Sequence, residues 1–171
     1  MIVARLVVIN GAPGSGKSTV AHALALDVDQ LKHALGGWAS DPTASGLHAR
    51  RLALALADEQ LRSGRDVFVG QYLARPEFLE ALEDLARRRS AAFDEFVLDV
   101  DAERLRARLL GRAHSPTRPE HAVNSRLVAP DDASGLIRSL ESVRQGRPSA
   151  IWIDANGTLE ATVASIVAAL R

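Results

Sequence analysis

The sequence predicts an α/β fold in which a five-stranded parallel sheet has helices on both faces. Two observations lead to this prediction. Apolar, β-branched runs alternate with segments of helical composition along the chain, which is typical of strand–helix–strand crossovers. The first run, residues 2–9, is almost continuously apolar, as expected of a strand buried on both faces. We see no internal repeat and no linker, so we expect one domain over residues 1–171.

Each predicted element follows from a local pattern. The strands are expected at residues 2–9, 25–29, 67–70, 93–100 and 150–153. The helices are expected at residues 17–25, 30–35, 41–62, 75–89, 101–110, 131–145 and 158–170. Pro42 and Pro76 lie in first turns, where proline is favoured, and Gly64 ends the longest helix. Residues 111–130 contain three prolines and form the least regular segment, so they are predicted to form a lid.

Composition indicates a globular protein, which we expect to be cytoplasmic. The formal net charge is zero, so bulk charge gives no argument for binding nucleic acid or a membrane. The chain has no cysteine, which excludes disulfides, thiolate metal sites and thiol catalysis. The apolar run at residues 2–9 is too short for a signal peptide or a membrane span.

The most specific motif is a glycine-rich loop between the first strand and the first helix. Residues 11–18, GAPGSGKS, fit the pattern G-x-x-x-x-G-K-[ST] without a mismatch. Backbone N–H groups of such a loop form a nest for phosphate oxygens, and the following helix adds its positive end. Lys17 can reach the β- and γ-phosphates, and the Ser18 hydroxyl can bind Mg²⁺. The predicted nucleotide-binding residues are Gly11, Ala12, Pro13, Gly14, Ser15, Gly16, Lys17, Ser18 and Thr19.

Three stretches, GAPGSGKST, LDVDQLKHALGGW and DVFVGQYLARPEFLEALEDLA, resemble the P-loop small-molecule kinases. That family includes chloramphenicol phosphotransferase, gluconate kinase and the zeta toxins. The resemblance covers about two-thirds of the chain. It implies the three-layer P-loop NTPase fold with strand order 2-3-1-4-5 and an arginine-bearing lid at about 111–130. It also implies transfer of the γ-phosphate of ATP, with Mg²⁺, to an acceptor.

The resemblance places a catalytic carboxylate just beyond the second strand, where it deprotonates the acceptor hydroxyl. The family pattern V-D-x-L matches residues 28–31, so Asp29 is the predicted base and Asp27 a second, substrate-binding carboxylate. The alternative is that Asp29 caps the helix that begins near Gln30. Both roles require a strand-to-helix junction at this point.

Two features depart from the family pattern. The interval from Lys17 to Asp27 is short, because a helix of about 9 residues rises only about 13 Å. Either the second strand is vestigial or Asp29 lies elsewhere than expected. After the third strand, Gln71 stands where the family has an acidic residue that supports Mg²⁺. Weak Mg²⁺ binding, or help from Asp27 or Asp29, would follow.

Arginines follow the fourth strand. Arg104, Arg108 and Arg112 are spaced by four and share one helical face. The resemblance makes Arg108 and Arg112 catalytic, since arginine forks stabilise charge on a transferring phosphate. The alternative is a solvated face paired with neighbouring acids. After the fifth strand, Asn156 and Gly157 either contact the nucleotide base or form a turn.

The acceptor pocket is expected beyond the second and third strands, because ligands collect at the carboxyl ends of parallel strands. The polar and aromatic groups predicted to bind the acceptor there are Asp27, Trp38, Arg50, Gln71, Tyr72 and Arg75. Each has a structural alternative, such as core packing for Trp38 or an ion pair with a nearby glutamate for Arg75.

The sequence therefore predicts an ATP-dependent kinase that acts on a hydroxyl of a small molecule. A nucleotide-binding switch or ATPase that regulates a partner is the alternative from another class. A polynucleotide end kinase is a third, disfavoured by the zero net charge and by the lack of an aromatic stacking platform.

Overall fold

The computed structural model describes residues 3–17, 25–114 and 128–170. Five parallel strands form one sheet in the order β2-β3-β1-β4-β5, which confirms the predicted topology. The strands are β1 (Arg5–Gly11), β2 (Ala25–Asp27), β3 (Val67–Gly70), β4 (Ala92–Asp99) and β5 (Ile151–Asp154). The second strand has only three residues, yet it pairs in register with β3, so the short preceding interval does preserve a strand.

Six of the seven predicted helices begin and end close to their predicted positions, and the helix predicted at residues 17–25 falls almost wholly outside the described residues. The six are α1 (Val28–Ala34), α2 (Pro42–Arg62), α3 (Pro76–Arg88), α4 (Ala102–His114), α5 (Ala133–Gly146) and α6 (Leu159–Ala169), with a 3₁₀ turn at Pro130–Asp132. Helix α4 extends past the predicted end at Leu110 into the segment predicted as the lid. No helix among the described residues combines the length and apolarity needed to cross a membrane.

Alternate residues of β1 supply the two faces of the sheet. Leu6 and Val8 pack with helices α2 to α5, and Val7 and Ile9 pack with α6 on the other face. All four side chains are almost completely buried. Burial of one such side chain contributes about 1.5–3 kcal/mol to the free energy of folding, so this strand stabilises the packing of both helical layers on the sheet.

Helix α2 lies against the sheet through a stripe of small side chains. Ala49, Ala53 and Ala57 are fully buried and recur every four residues, so they lie on one helical face. The carboxylate of Asp41 caps the helix by accepting from the N–H groups of Thr43 and Ala44 at 3.1 and 2.9 Å. The stripe and the cap together fix the position of α2.

A partly buried charged network joins β4 to helix α3 and to the residue that follows α5. The guanidinium of Arg147 donates to the carboxylates of Glu95 and Glu83, and it lies 5.9 Å from the ring centroid of Phe93. Burial raises the pKa of Glu95, and the hydrogen bond and charge of Arg147 oppose that rise. One carboxyl oxygen of Glu95, Oε1, is buried without a hydrogen-bond partner among the described residues.

Candidate active site

The glycine-rich loop follows β1, and its described part ends at Lys17. Gly14 and Gly16 have φ angles of 91° and 106°, which side chains rarely tolerate. A Cβ at Gly14 would lie 3.2–3.3 Å from the side chains of Leu109 and Leu105, whereas a Cβ at Gly16 would meet nothing within 4 Å. The loop is therefore packed against α4 at Gly14 and faces open space at Gly16.

Lys17 curls back over this loop. Its side chain is buried, and Nζ donates a 2.9 Å hydrogen bond to the carbonyl of Ala12. The Ser15 N–H closes a turn onto the same carbonyl at 3.0 Å. The loop thus combines a fixed cation, a glycine backbone and open space beside Gly16, and these features fit a bound phosphate chain.

Asn10 fastens the loop to the segment after β3. It is fully buried, and its Oδ1 accepts from the N–H groups of Gly11 and Leu73 at 2.7 and 2.9 Å. Its Nδ2 donates to the carbonyl of Leu73 at 2.9 Å. Sequence reasoning missed this residue, although a polar side chain that interrupts an apolar strand before a glycine was a signal for it.

Strands β2 and β3 end at the same level of the sheet, and β1 continues two residues beyond that level, from Ile9 to Gly11. Ile9 of β1 pairs with Gly70 of β3, and Gly70 pairs with Asp27 of β2. The glycine-rich loop, Gln71 and the start of α1 therefore follow from one edge of the sheet. Gln71 is held there by a 3.2 Å hydrogen bond from its N–H to the carbonyl of Ile9.

The two aspartates at this edge differ in what they contact. Asp27 is the N-cap of α1, because its Oδ1 accepts from the N–H groups of Asp29 and Gln30 at 2.9 and 3.4 Å. The helix begins at Val28, earlier than predicted, so the cap is Asp27 and not Asp29. The Asp29 carboxylate has no hydrogen-bond or ion-pair partner in the described part of the chain, which leaves it available to a ligand.

Asp29 lines a cavity of about 360 Å³, which we call the acceptor cavity. It lies between α1, the first half of α2 and the segment that follows β3. The lining residues are Val28, Asp29, Lys32, Pro42, Thr43, Gly46, Leu47, Ala49, Arg50, Gln71 and Arg75. The volume falls at the lower end of the range of about 300–1,000 Å³ typical of small-molecule sites.

The structure brings some of the predicted acceptor residues together and separates others. Arg50, Gln71 and Arg75 line the cavity with Asp29, whereas Trp38, Tyr72 and Asp27 do not. Trp38 packs edge-on against His33, with ring centroids 4.2 Å apart. The Tyr72 hydroxyl forms a 2.6 Å hydrogen bond with Ser139 of α5. Sequence reasoning did not include Lys32 or Gly46, which reach the cavity only because α1 and α2 pack together.

Arg104 and Arg108 contact the segment after β5. Arg104 donates to the carbonyl of Asn156 through Nε and Nη2 at 3.0 and 2.7 Å. Arg108 donates to the carbonyls of Ser15 and Ala155 at 3.1 and 2.7 Å, with a longer 3.5 Å contact to Gly157. Arg108 thereby bridges the glycine-rich loop and the segment after β5.

Burial lowers the pKa of the Arg108 guanidinium, and the neighbouring charge of Arg104 lowers it further. Asn156 forms the predicted turn, in which Asp154 accepts from its N–H at 2.9 Å and its own Oδ1 accepts from the Asp101 N–H at 3.0 Å. Contact of Asn156 and Gly157 with a base stays a prediction, as does the catalytic role of Arg108.

Several predicted site residues lie outside the description. Ser18 and Thr19 belong to residues 18–24, and most of the predicted lid belongs to residues 115–127, which the structure does not describe. Arg112 lies in α4, but its side chain is likewise outside the description. Their predicted roles in binding phosphate and Mg²⁺ and in transfer stay predictions.

Comparison with known proteins agrees with this architecture. No curated protein matches the sequence significantly. A gluconokinase from Sinorhizobium meliloti superposes with a TM-score of 0.65 and 19% identity, covering 99% of this chain and 93% of that chain. A candidate kinase from Chloroflexus aurantiacus gives a TM-score of 0.70 at 18% identity, over 99% and 97% of the two chains.

The tunicamycin resistance protein of Deinococcus radiodurans gives a TM-score of 0.63 at 16% identity, over 98% of this chain and 95% of that chain. At such identities the likeness shows a shared fold. The sequence itself matches the AAA domain family AAA_33 over residues 6–129, which is most of its length and includes the glycine-rich loop and the acceptor cavity. The chain therefore belongs to the AAA domain family AAA_33 and shares the P-loop fold of small-molecule kinases.

Proposed function

We propose that this protein is a kinase that transfers the γ-phosphate of ATP to a hydroxyl group of a small molecule. The observation that carries this proposal is the parallel register of β1, β3 and β2, whose carboxyl ends lie at one edge of the sheet. Because of that register, the glycine-rich loop and the carboxylate of Asp29, which no described residue pairs with, follow from the same edge of the sheet. This arrangement supports a phosphate donor in the loop beside an acceptor in the cavity.

The donor end of the site consists of the glycine-rich loop and Lys17. The loop N–H groups and the Lys17 ammonium would hold the phosphate chain, and the Ser18 hydroxyl would hold Mg²⁺. When bound, Mg²⁺ neutralises negative charge on the phosphate oxygens. Arg108 acts here as a positioning residue, because it ties the Ser15 carbonyl to the segment after β5.

The acceptor end of the site is built around Asp29. Its carboxylate accepts the proton of the acceptor hydroxyl as that oxygen bonds to the γ-phosphorus, while the bond from the γ-phosphorus to the bridging oxygen of ADP breaks. The proton then passes from the carboxylate to water. Gln71 has a buried Oε1 without a partner among the described residues, so it can accept from a second hydroxyl and orient the acceptor.

A slow ATPase that acts as a switch is the second candidate. It is favoured by one observation, the uncharged Gln71 directly after β3, where the family has an acid that supports Mg²⁺. Glutamine can orient a water molecule as well as an acceptor hydroxyl. ATP turnover that is the same with and without every acceptor tested, together with a partner bound only in one nucleotide state, would support this candidate.

Turnover in a panel of metabolites tests the kinase proposal. Protein and Mg-ATP should release ADP quickly only when a suitable acceptor is present, and the phosphorylated acceptor should be detected by mass spectrometry. Lys17→Ala should abolish nucleotide binding or turnover. Asp29→Asn should retain ATP binding, measured by calorimetry, while transfer falls by about 10²–10⁴-fold because the base is lost.

The neighbouring aspartate provides a matched control. Asp27→Asn removes the same charge two residues away, but asparagine caps a helix about as well as aspartate does. This control should keep transfer within a few-fold of the wild-type rate. Equal losses in the two variants would show that net charge, and not a base at Asp29, supports transfer.

A further inference from the structure

We propose that the small molecule bound in the acceptor cavity carries a carboxylate or phosphate group in addition to the hydroxyl that is phosphorylated. This inference rests on the proposed kinase activity, because it concerns the acceptor of that reaction. It is argued from the charge, the pairing and the shape of the cavity lining.

The lining is strongly cationic for a protein of zero net charge. Lys32, Arg50 and Arg75 each contribute a positive charge, and Asp29 is the one acidic side chain among the described lining residues. Three positive charges and one negative charge leave an excess of two positive charges. Lys32 and Arg50 are half-buried and Arg75 is exposed. Half-buried charges are screened less than exposed ones, so this excess attracts an anion.

The three cations have no carboxylate partner in the part of the chain that the structure describes. Arg50 lies 5.9 Å from the ring centroid of Phe78, and Lys32 lies 5.7 Å from the ring centroid of Trp38. Aromatic faces support cations without neutralising them. By contrast, Arg89, which follows α3, donates through Nε and Nη2 to the carboxylate of Asp58 in α2 at 2.6 and 2.9 Å.

Arginine forks match the oxygens of carboxylate and phosphate groups, so two arginines that no described carboxylate pairs with favour such a ligand in this cavity. The single carboxylate of Asp29 would repel the same group. The anionic end of the acceptor therefore lies towards Arg50 and Arg75, and its reacting hydroxyl lies towards Asp29. This arrangement gives the cations a second role, which is to decide which hydroxyl reaches the base.

The neutral lining groups limit the size and character of the rest of the molecule. The buried Oε1 of Gln71 offers an acceptor to a hydroxyl. Gly46, in the second turn of α2, leaves open space, because a Cβ there would meet no described atom within 4 Å. Leu47 adds an exposed apolar surface beside it. These features suit a compact, hydroxyl-bearing molecule with one charged end.

Binding measured apart from turnover tests this inference. The protein is loaded with Mg²⁺ and a non-hydrolysable ATP analogue, so that phosphate compounds cannot enter the glycine-rich loop. Calorimetry then compares sugars in three matched forms, the neutral aldose, the aldonic acid and the sugar phosphate. We expect at least one anionic form to bind about 10-fold or more tightly than its neutral parent, with weaker binding as salt is raised.

Charge-removing variants assign the preference to the cavity. Arg50→Gln and Arg75→Gln should each weaken binding of the anionic form by about 10–100-fold, while binding of the neutral form stays within a few-fold. Arg51→Gln is the matched control, because Arg51 is exposed on the same helix and does not line the cavity. It should leave both affinities unchanged.

The outcomes separate this inference from the kinase proposal. Anion-selective binding that Arg50→Gln removes, without phosphate transfer to any acceptor, would support the inference and count against kinase activity. Transfer to neutral and anionic forms with equal kcat/KM would support kinase activity and overturn the inference. Equal binding of all three forms, or no binding of any, would also overturn it. Selectivity between the aldonic acid and the sugar phosphate shows which anionic group the site takes.

Discussion

Replacing Asn10 with alanine should destabilise both the fold and the glycine-rich loop. The Asn10 side chain forms three hydrogen bonds, two from backbone N–H groups and one to a backbone carbonyl, and it is fully buried. Asn10→Ala leaves these three backbone groups without a partner. Each unsatisfied buried group costs about 1–3 kcal/mol, so complete loss without relaxation would cost about 3–9 kcal/mol.

Relaxation and entry of water should reduce this cost, and we expect a loss of about 3 kcal/mol in the free energy of unfolding. With a urea m-value of about 1–3 kcal/mol/M, the unfolding midpoint should fall by about 1–3 M. Because Gly11 loses its anchor, the Kd for Mg-ATP should rise about 10-fold. Asn10→Asp keeps the acceptor oxygen but loses the N–H donor to the Leu73 carbonyl, so the free energy of unfolding should fall by about 1–3 kcal/mol. This decrease should be smaller at low pH, where the new carboxyl group is protonated and can donate.

Urea denaturation followed by circular dichroism, together with calorimetry of Mg-ATP binding, measures both effects. Asn156→Ala is the control, because Asn156 also forms side-chain hydrogen bonds but is partly exposed, so water can replace them. The free energy of unfolding of this control should fall by less than about 1 kcal/mol. If Asn10→Ala lost no more than the control, and bound nucleotide as well as the wild type, the reasoning from buried hydrogen bonds would be refuted.

Three further predictions concern Arg108, Glu95 and Gly16. Arg108→Lys should raise the Kd for Mg-ATP, measured by calorimetry, about 10-fold, because one ammonium group cannot contact both carbonyls that the guanidinium joins. The control is Arg106→Lys, which changes an exposed ion pair and should leave this Kd unchanged. The pKa of Glu95 is raised by burial, so its contribution favours folding at low pH and is lost as pH rises through the folded-state pKa. Urea unfolding at pH 4, 5.5 and 7 should therefore show wild type losing stability relative to Glu95→Gln as pH rises, and a relative gain would mean that pairing with Arg147 outweighs burial. Gly16→Ala should lower the free energy of unfolding by about 1–2 kcal/mol, because alanine is strained at the positive φ of this position. It should also abolish nucleotide binding, measured by calorimetry, because the new methyl group enters the space beside the loop. Unchanged binding would mean that the phosphates bind elsewhere.

Local patterns predicted the elements of the fold because each signal lies within a few residues. The apolar run of β1 and the prolines that open α2 and α3 are examples. The strand order came from the family resemblance, because alternation of strands and helices alone does not determine which strands are neighbours. The short β2 was the least certain element, since three residues carry little periodicity and their strand is defined by pairing with β3.

The candidate site was only partly predictable for the same reason. The motif identified the glycine-rich loop, but the bond from Asn10 to Leu73 joins residues 63 positions apart, and no local pattern reports it. The cap is Asp27, and not Asp29 as the alternative interpretation had it, because the helix begins two residues before Gln30 and sequence patterns locate helix ends poorly. Lys32 enters the cavity through the packing of α1 on α2, which is a tertiary effect.

The two faces of α2 have a consequence for how new substrates could arise. The alanine stripe from Ala49 to Ala57 holds the helix on the sheet, whereas Thr43, Gly46 and Arg50 recur every three or four residues along the cavity wall. Mutations on the wall change what the protein recognises without disturbing what keeps it folded. Laboratory evolution towards another acceptor should therefore accumulate changes at Gly46, Leu47 and Arg50 at little cost in melting temperature, and it should leave the alanines untouched.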